Sequence, residues 1–393
     1  MAGDKTILVL NCGSSSVKFA LFAAAGEPVR RFSGAVERIG GPDSRFWTRE
    51  DAGTVRSDER LTIPDHADAL DKILTWIESG SEDAALGAVG HRIVHGGAAG
   101  SRPERITPTL AARLEALAPL APLHMPHNMA GVRAVTARRP DLPQIACYDT
   151  AFHRQMPPVA QMTGLPRRYA DDDIRRYGFH GLSCEYILED LRRRAGDDAA
   201  NARLIIAHLG NGASMTAVRE GRSVETTMGF STLSGLMMGT RPGDLDPGIL
   251  IHLMRTKGMD ADDLETLLYR ASGLLGVSGL SRNMEDLLES PAPEAAAAVD
   301  LFCYRARRHL AGLTAALGGL DRVIFTAGIG ANAPAVRGRI LDSLDYLGID
   351  LDPERNGRGE TRISSDASPV CVETVETDEE AVIARHVRDV LSD

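Results

Sequence analysis

Three short stretches carry the backbone donors and hydroxyls that a phosphate chain requires: Asn11–Ser16, His208–Ser214 and Gly328–Asn332. Each follows an apolar run that reads as a strand, and each crowds N–H groups at one point. Lys18 stands just beyond the first. Singly, such a turn is more often a turn than a ligand site. Together the three describe a cradle in which two hairpins face each other and the third turn holds the rest of a nucleotide. None is a P-loop, since G-x-x-x-x-G-K-[ST] does not occur. Gly328-Ile329-Gly330 does not extend to the dinucleotide fingerprint either, because the sixth position is Ala333.

Arg92 and Arg241 lie among apolar or glycine-rich neighbours instead of on a charged face. For either alone, a buried ion pair is as good a reading as a ligand contact. Converging on one cleft, they form a clamp for a carboxylate or a transferring phosphoryl group. His124, His180 and His208 each sit beside a Gly, a Pro or a turn. Lone histidines are usually structural, and no H-E-x-x-H or comparable spacing marks a zinc site. Asp149 ends an apolar run, where it either caps the next turn or serves a ligand. Glu379 opens a final helix, where it either answers the helix dipole or reaches a magnesium ion.

The elements that position these residues are legible from periodicity and turn chemistry. Thr6–Phe22 reads as a hairpin, with strands at Ile7–Leu10 and Val17–Phe22. Short strands joined by turns follow to Leu61. His66–Gly80 has helical periodicity, with Ala67, Leu70, Ile73, Leu74 and Ile77 on one face. A strand at Ala88–Gly97 carries Arg92. Helices at Thr109–Ala118 and Asn128–Arg139 bracket a proline-rich loop, Pro119–Asn128, and a strand at Pro143–Tyr148 delivers Asp149 to its C-terminal end. After a Pro/Arg-rich connection and a helix to about Ala195, Arg203–Arg219 repeats the opening plan of strand, polar glycine turn and strand. Matching units in two like-sized halves point to an internal duplication. Val224–Pro247 is a long Gly/Thr/Ser-rich loop holding Arg241, of the kind that is usually functional. Helices at Pro247–Lys257, Asp260–Ala271 and Glu294–Leu317 lead to a strand at Asp321–Thr326. A last strand at Val370–Thr374 precedes a helix whose Thr377 and Glu380 fit a capping box.

At 393 residues the chain exceeds the size at which one core keeps growing, so two domains are expected. Boundaries fall at 1–150 with 378–393, and 151–377. Apolar content of 43% and charged content of 25% are those of a globular protein. A formal charge of −10 argues against a nucleic-acid partner. No run is long enough to span a membrane or to form a signal h-region, so a cytoplasmic location is the expectation. Five scattered cysteines without a C-x-x-C pair indicate neither a disulfide framework nor zinc.

Laid out in order, these residues resemble the acetate/propionate kinase family. The series runs LVLNCGSSSVKF, GHRIVHGG around Arg92, PLHMPHN around His124, CYDTAFH around Asp149 and RRYGFHGLS around His180. It continues through HLGNGAS at His208, MGTRPGDLDPG around Arg241, FTAGIGAN at Gly328 and ETDEEAVIAR at Glu379. The resemblance implies an α/β fold of two RNase H-like, actin-like ATPase domains, duplicated, with a nucleotide cleft between them. It implies ATP or ADP as co-substrate, magnesium or manganese held by Asn11 and Glu379, and acetate as acceptor, with acetyl phosphate feeding acetyl-CoA synthesis. Lys18 and the turn His208, Leu209, Gly210, Asn211, Gly212 would meet the phosphates. Asn283, Met284, Glu285 and Gly328, Ile329, Gly330, Ala331, Asn332 would meet adenosine. Arg92, Val94, Leu123, His124 and Phe179 would bind acetate, while Asp149, His180 and Arg241 would be catalytic. A homodimer is the family expectation.

Three positions depart from the family pattern. Asn283-Met284-Glu285 replaces the usual Asp-x-Arg, and Ala331 replaces the glutamate of GIGEN. Ser231-Thr232-Leu233-Ser234 replaces Thr-Pro-Leu-Glu. The first two bear on nucleotide preference and the third on acyl-chain length, so a propionate or butyrate kinase is the nearest alternative. A more distant one is an actin-like ATPase switch with no acid acceptor.

Overall fold

Thr6–Cys12 (β1) is buried at every position except Asn11. A strand reads so uniformly apolar when its sheet is covered on both faces. In the computed structural model, which describes residues 5–80 and 85–392, the chain divides into two compact units. These are Met1–Ala151 with Asp378–Asp393, and Phe152–Thr377.

The first unit contains β1, Ser16–Ala23 (β2), Val29–Glu37 (β3), Ser44–Glu50 (β4), Val55–Leu61 (β5), Leu86–Ile93 (β6), Glu104–Arg105 (β7) and Gln144–Tyr148 (β8). Among the described residues they form one sheet in the order β5-β4-β3-β2-β1-β6-β8-β7. The strands from β5 to β1 pair antiparallel, and β1, β6 and β8 are parallel. On one face, Leu8, Leu10 and Val89 share a core with Leu70, Ile73 and Leu74 of the His66–Ser79 helix and Val135 of the Met125–Arg138 helix. The next residue of β6, Gly90, points to the other face. A Cβ there would lie 2.5 Å from Ile383 and 2.7 Å from Val387, so glycine is what admits the Glu379–Ser392 helix.

The second unit contains Leu204–Leu209 (β9), Ala213–Arg219 (β10), Arg222–Thr226 (β11), Arg322–Thr326 (β12) and Cys371–Thr374 (β13). Their order is β11-β10-β9-β12-β13, antiparallel from β11 to β9 and parallel across β9, β12 and β13. This repeats the order and directions of β3-β2-β1-β6-β8. The duplication read from two turns is therefore a duplication of a whole five-stranded sheet. No helix among the described residues is long and apolar enough to cross a membrane.

Local expectations needed correction at three places. Gly328–Asn332 is not a turn but most of a helix, Ala327–Asn332. The buried Arg337 guanidinium donates to the carbonyls of Gly330 and Ala331 and caps its end, which offsets the glycine penalty. Met284 and Glu285, given no element from sequence, open a short helix, Met284–Glu289. The Pro119–Asn128 loop is cut short because the next helix begins at Met125; Pro126 lies in its first turn, where no N–H is missed. The final helix is capped not by Thr377 but by Asp378, whose carboxylate accepts from Ala381 N at 2.9 Å.

Candidate active site

In the first unit, Asn11, Arg92 and Asp149 all stand at the C-terminal ends of neighbouring parallel strands, where open α/β sheets gather ligands. The Arg92 guanidinium donates through Nε to Asp149 Oδ1 at 3.0 Å and through Nη2 to Oδ2 at 2.6 Å. Nη1 lies 3.4 Å from Asn11 Oδ1, and Glu379 Oε2 lies 3.3 Å from Nε. Burial opposes the Arg92 charge, but Asp149 and Glu379 outweigh it and hold the guanidinium above its usual range. Arg92 thus forms the buried ion pair that its apolar neighbours allowed. Asp149 serves this arginine, and Glu379 does more than answer a helix dipole.

Lys18 is the cross-strand partner of Asn11, which puts both side chains on one face of the sheet. Val94 is buried, and its N–H donates to Asn128 Oδ1 at 3.0 Å. Asn128 Nδ2 in turn donates to the carbonyl of Cys12 at 2.9 Å, tying the end of β1 to the end of β6. Asn128 lies inside the PLHMPHN motif, yet its type alone did not single it out. Leu123 is half-buried, and His124 stands at the N-cap of the Met125–Arg138 helix. Cys12 is inert: burial pushes its thiol up to about 12.

In the second unit, His180 occupies the left-handed region at φ 59° and opens the Gly181–Asn201 helix. A non-glycine residue held there is uncommon and clusters at functional sites. Gly178 sets up this turn, since a Cβ at that position would meet His153 at 2.6 Å and Thr226 at 2.7 Å. The His180 and His208 rings stack with centroids 4.0 Å apart. Each has its Nδ1 2.9 Å from a serine hydroxyl, Ser214 for His180 and Ser183 for His208. Both serines fall within the recognised motifs but were given no role from sequence. Phe179 is buried, and its carbonyl lies 2.9 Å from His153 Nε2.

Arg241 joins the same group. A Cβ added at Gly212 would lie 3.1 Å from Arg241 Nη2 and 3.3 Å from His180 Nε2, so both side chains press on the bare backbone of the glycine turn. Arg241 Nη1 donates to the carbonyl of Thr232 at 2.8 Å, and no carboxylate pairs with it among the described residues. Desolvation pushes its guanidinium down to about 10, still charged at neutral pH.

Next to this group lies a cleft of about 550 Å³ lined by Gly210, Asn211, Asn283, Met284, Glu285, Gly328, Ile329 and Asn332. Its volume is that of a small-molecule site. Arg282, Leu288, Glu289 and the segment Ala333–Ala335 complete it, and none of these was singled out from sequence. His208, Leu209, Gly212, Gly330 and Ala331, expected along the nucleotide, do not line it: Leu209 and Gly330 are buried beneath. Glu285 and Glu289 stand one turn apart, so the cleft presents carboxylates beside Arg282.

Residues 6–385 match the model of the Acetokinase family. An acetate kinase of Rhodopseudomonas palustris is 48% identical over 386 residues, covering 97% of each chain. The crystal structure of Porphyromonas gingivalis acetate kinase superimposes with a TM-score of 0.87 at 36% identity, covering 98% of this chain and 100% of that one. A propionate kinase from Francisella tularensis gives a TM-score of 0.91 at 33% identity, covering 97% and 98%. The duplicated sheets and these neighbours define a two-domain actin-like ATPase fold. Matched along nearly its whole length, the chain belongs to the acetokinase family.

Proposed function

We propose that this chain transfers the γ-phosphoryl group of ATP directly and reversibly to acetate, giving ADP and acetyl phosphate. One observation carries the proposal. Arg241, a cation with no carboxylate partner among the described residues, and His180 press on the same glycine of a turn that also lines a nucleotide-sized cleft.

Phosphoryl transfer asks for in-line positioning and charge stabilisation more than for covalent chemistry. Arg241 and His180 take up the charge that develops on the transferring group. Arg92 orients the acetate carboxylate. Asp149 occupies its Nε/Nη2 edge, and the Nη1/Nη2 edge keeps donors for a second carboxylate. Asp149 acts by holding Arg92 and not as a base, because a carboxylic acid with a pKa near that of Glu is already ionised at pH 7. Lys18 and the Gly210–Gly212 turn meet the phosphates, with adenosine in the cleft beyond. Val94, Leu123 and Phe179 make the apolar pocket for acetate, and His124 is a further substrate contact.

The chemistry of the donors near Arg92 fits magnesium or manganese. Asn11 and Glu379 offer hard oxygens, and such an ion takes one or two carboxylates and completes its shell with phosphate and water. When bound, it neutralises charge on the phosphates.

The proposal extends to a cytoplasmic homodimer. The Pro247–Lys257 helix buries none of its residues fully, and Ile249, Ile251 and Met254 are 43%, 50% and 48% exposed. Apolar surface of this kind on a helix is suited to a second copy.

A hydroxylamine trap for acetyl phosphate, run with ATP in the presence and absence of acetate, tests the central claim. Product that appears only with acetate supports it; ATP hydrolysis indifferent to acetate means an ATPase switch. Comparing kcat/KM for acetate, propionate and butyrate then decides between acetate and its homologues.

A further inference from the structure

The loop that carries Arg241 is closed at its base by a two-way clip. Gly235 N donates to Asp244 Oδ1 at 2.7 Å, and Asp244 N donates to the carbonyl of Gly235 at 2.9 Å. Inside that base the backbone is held at Met238, Gly239 and Thr240: Leu274 N, Leu275 N and Ser272 N donate to their carbonyls at 2.9, 3.0 and 3.0 Å. Pro242, directly after Arg241, has no N–H of its own, and its carbonyl is held by a side chain from elsewhere. Arg305, on the Pro293–Leu317 helix, donates through Nη1 to Pro242 O at 2.6 Å and approaches Asp244 O at 3.5 Å. Arg305 is half-buried and pairs with no carboxylate among the described residues. Its charge is spent on the two carbonyls that flank Gly243. That glycine is at φ +73°, and a Cβ there would lie 2.4 Å from the carbonyl oxygen of Gly235.

We propose that Arg305 is a positioning residue for Arg241, fixing the Pro242–Asp244 backbone so that the guanidinium stays against Gly212. The inference rests on the reading of Arg241 as the residue that meets the transferring phosphoryl group. A charge-assisted donor on a carbonyl one residue from the catalytic side chain sets that side chain's origin. A displacement of about 1 Å costs about a hundredfold in rate.

The test compares Arg305→Met, Arg305→Lys and Arg241→Ala in the full chain by steady-state kinetics and thermal unfolding. The expected result for Arg305→Met is a kcat about 10- to 100-fold lower with the KM for ATP nearly unchanged. Arg305→Lys keeps one donor and recovers part of the rate. Wild-type kcat in Arg305→Met overturns the inference, as does a rate loss that follows loss of folded protein and is not recovered by lysine. If the methionine variant does not fold, Arg305→Lys decides: reduced kcat at a normal melting temperature supports the role, and wild-type kcat overturns it. Full activity in Arg241→Ala would instead overturn the reading of the site, leaving the two failures distinguishable.

Discussion

Asp149 grips Arg92 along one edge of its guanidinium, through hydrogen bonds of 3.0 and 2.6 Å, and is itself almost wholly buried. A buried carboxylate with that geometry is a mount for a cation. Replacing it with Asn keeps the shape, loses the charge and turns an amide toward the guanidinium. Asp149→Asn is expected to lower kcat about tenfold, the worth of a charged hydrogen bond. The acidic limb of the pH–rate profile is expected to stay where it is. Disappearance of an ionisation from that limb would mean that Asp149 works as a base.

Two glycines of the second unit separate catalysis from nucleotide binding. In Gly212→Ala the new methyl meets Arg241 and His180 at 3.1 and 3.3 Å, so the loss in kcat, about tenfold, exceeds any rise in the KM for ATP. In Gly239→Ala it meets Asn211 Oδ1 at 2.3 Å and the Arg282 carbonyl at 3.1 Å, both residues of the cleft. There the KM for ATP rises instead. Identical kinetic defects in the two variants would contradict this division.

Glu285 and Glu289 give the cleft carboxylates where a polyanion is expected to bind. Glu285→Arg removes one repulsion and adds an attraction. The KM for ATP is expected to fall about 3- to 10-fold at low salt, with the gain shrinking as ionic strength rises. An unchanged KM, or one that falls equally at all salt concentrations, would count against the electrostatic account.

Two buried histidines outside the site make stability depend on pH. His91, hydrogen-bonded to Gln144, and His153, between Ser223 and the Phe179 carbonyl, are each lowered by desolvation from 6.5 to about 4. The unfolded chain therefore takes up protons below pH 6.5 that the folded chain refuses. Their contribution is present in full above 6.5 and is lost progressively as pH falls toward about 4. It amounts to about 3 kcal/mol for each. Denaturant unfolding across that window checks it, and His91→Gln should flatten the slope. A slope unaltered by the substitution would assign the effect to other groups.

The apolar runs and their turns were enough to reveal β1 with β2 and β9 with β10, because alternation, burial and glycine placement are local properties. The motif series likewise led from sequence to the family. What periodicity could not supply was the partner of each polar side chain. Arg92 and Asp149 are separated by 57 positions. Only the parallel registry of β6 with β8 reveals that they are an ion pair and not two independent site residues. Arg241 looked the same as Arg92 in sequence, yet among the described residues no carboxylate pairs with it and it is set on Gly212.

The Gly328–Asn332 stretch shows the same limit. Its glycines argue for a turn, and it becomes helical because Arg337, packed in from the next helix, satisfies its last carbonyls. Composition and spacing determined that this is a duplicated α/β chain with phosphate-type turns. Which charges are paired, which glycines are pressed upon and which residues wall the cleft were decided only in three dimensions. Desolvation and hydrogen-bond satisfaction depend on neighbours that are distant in the chain.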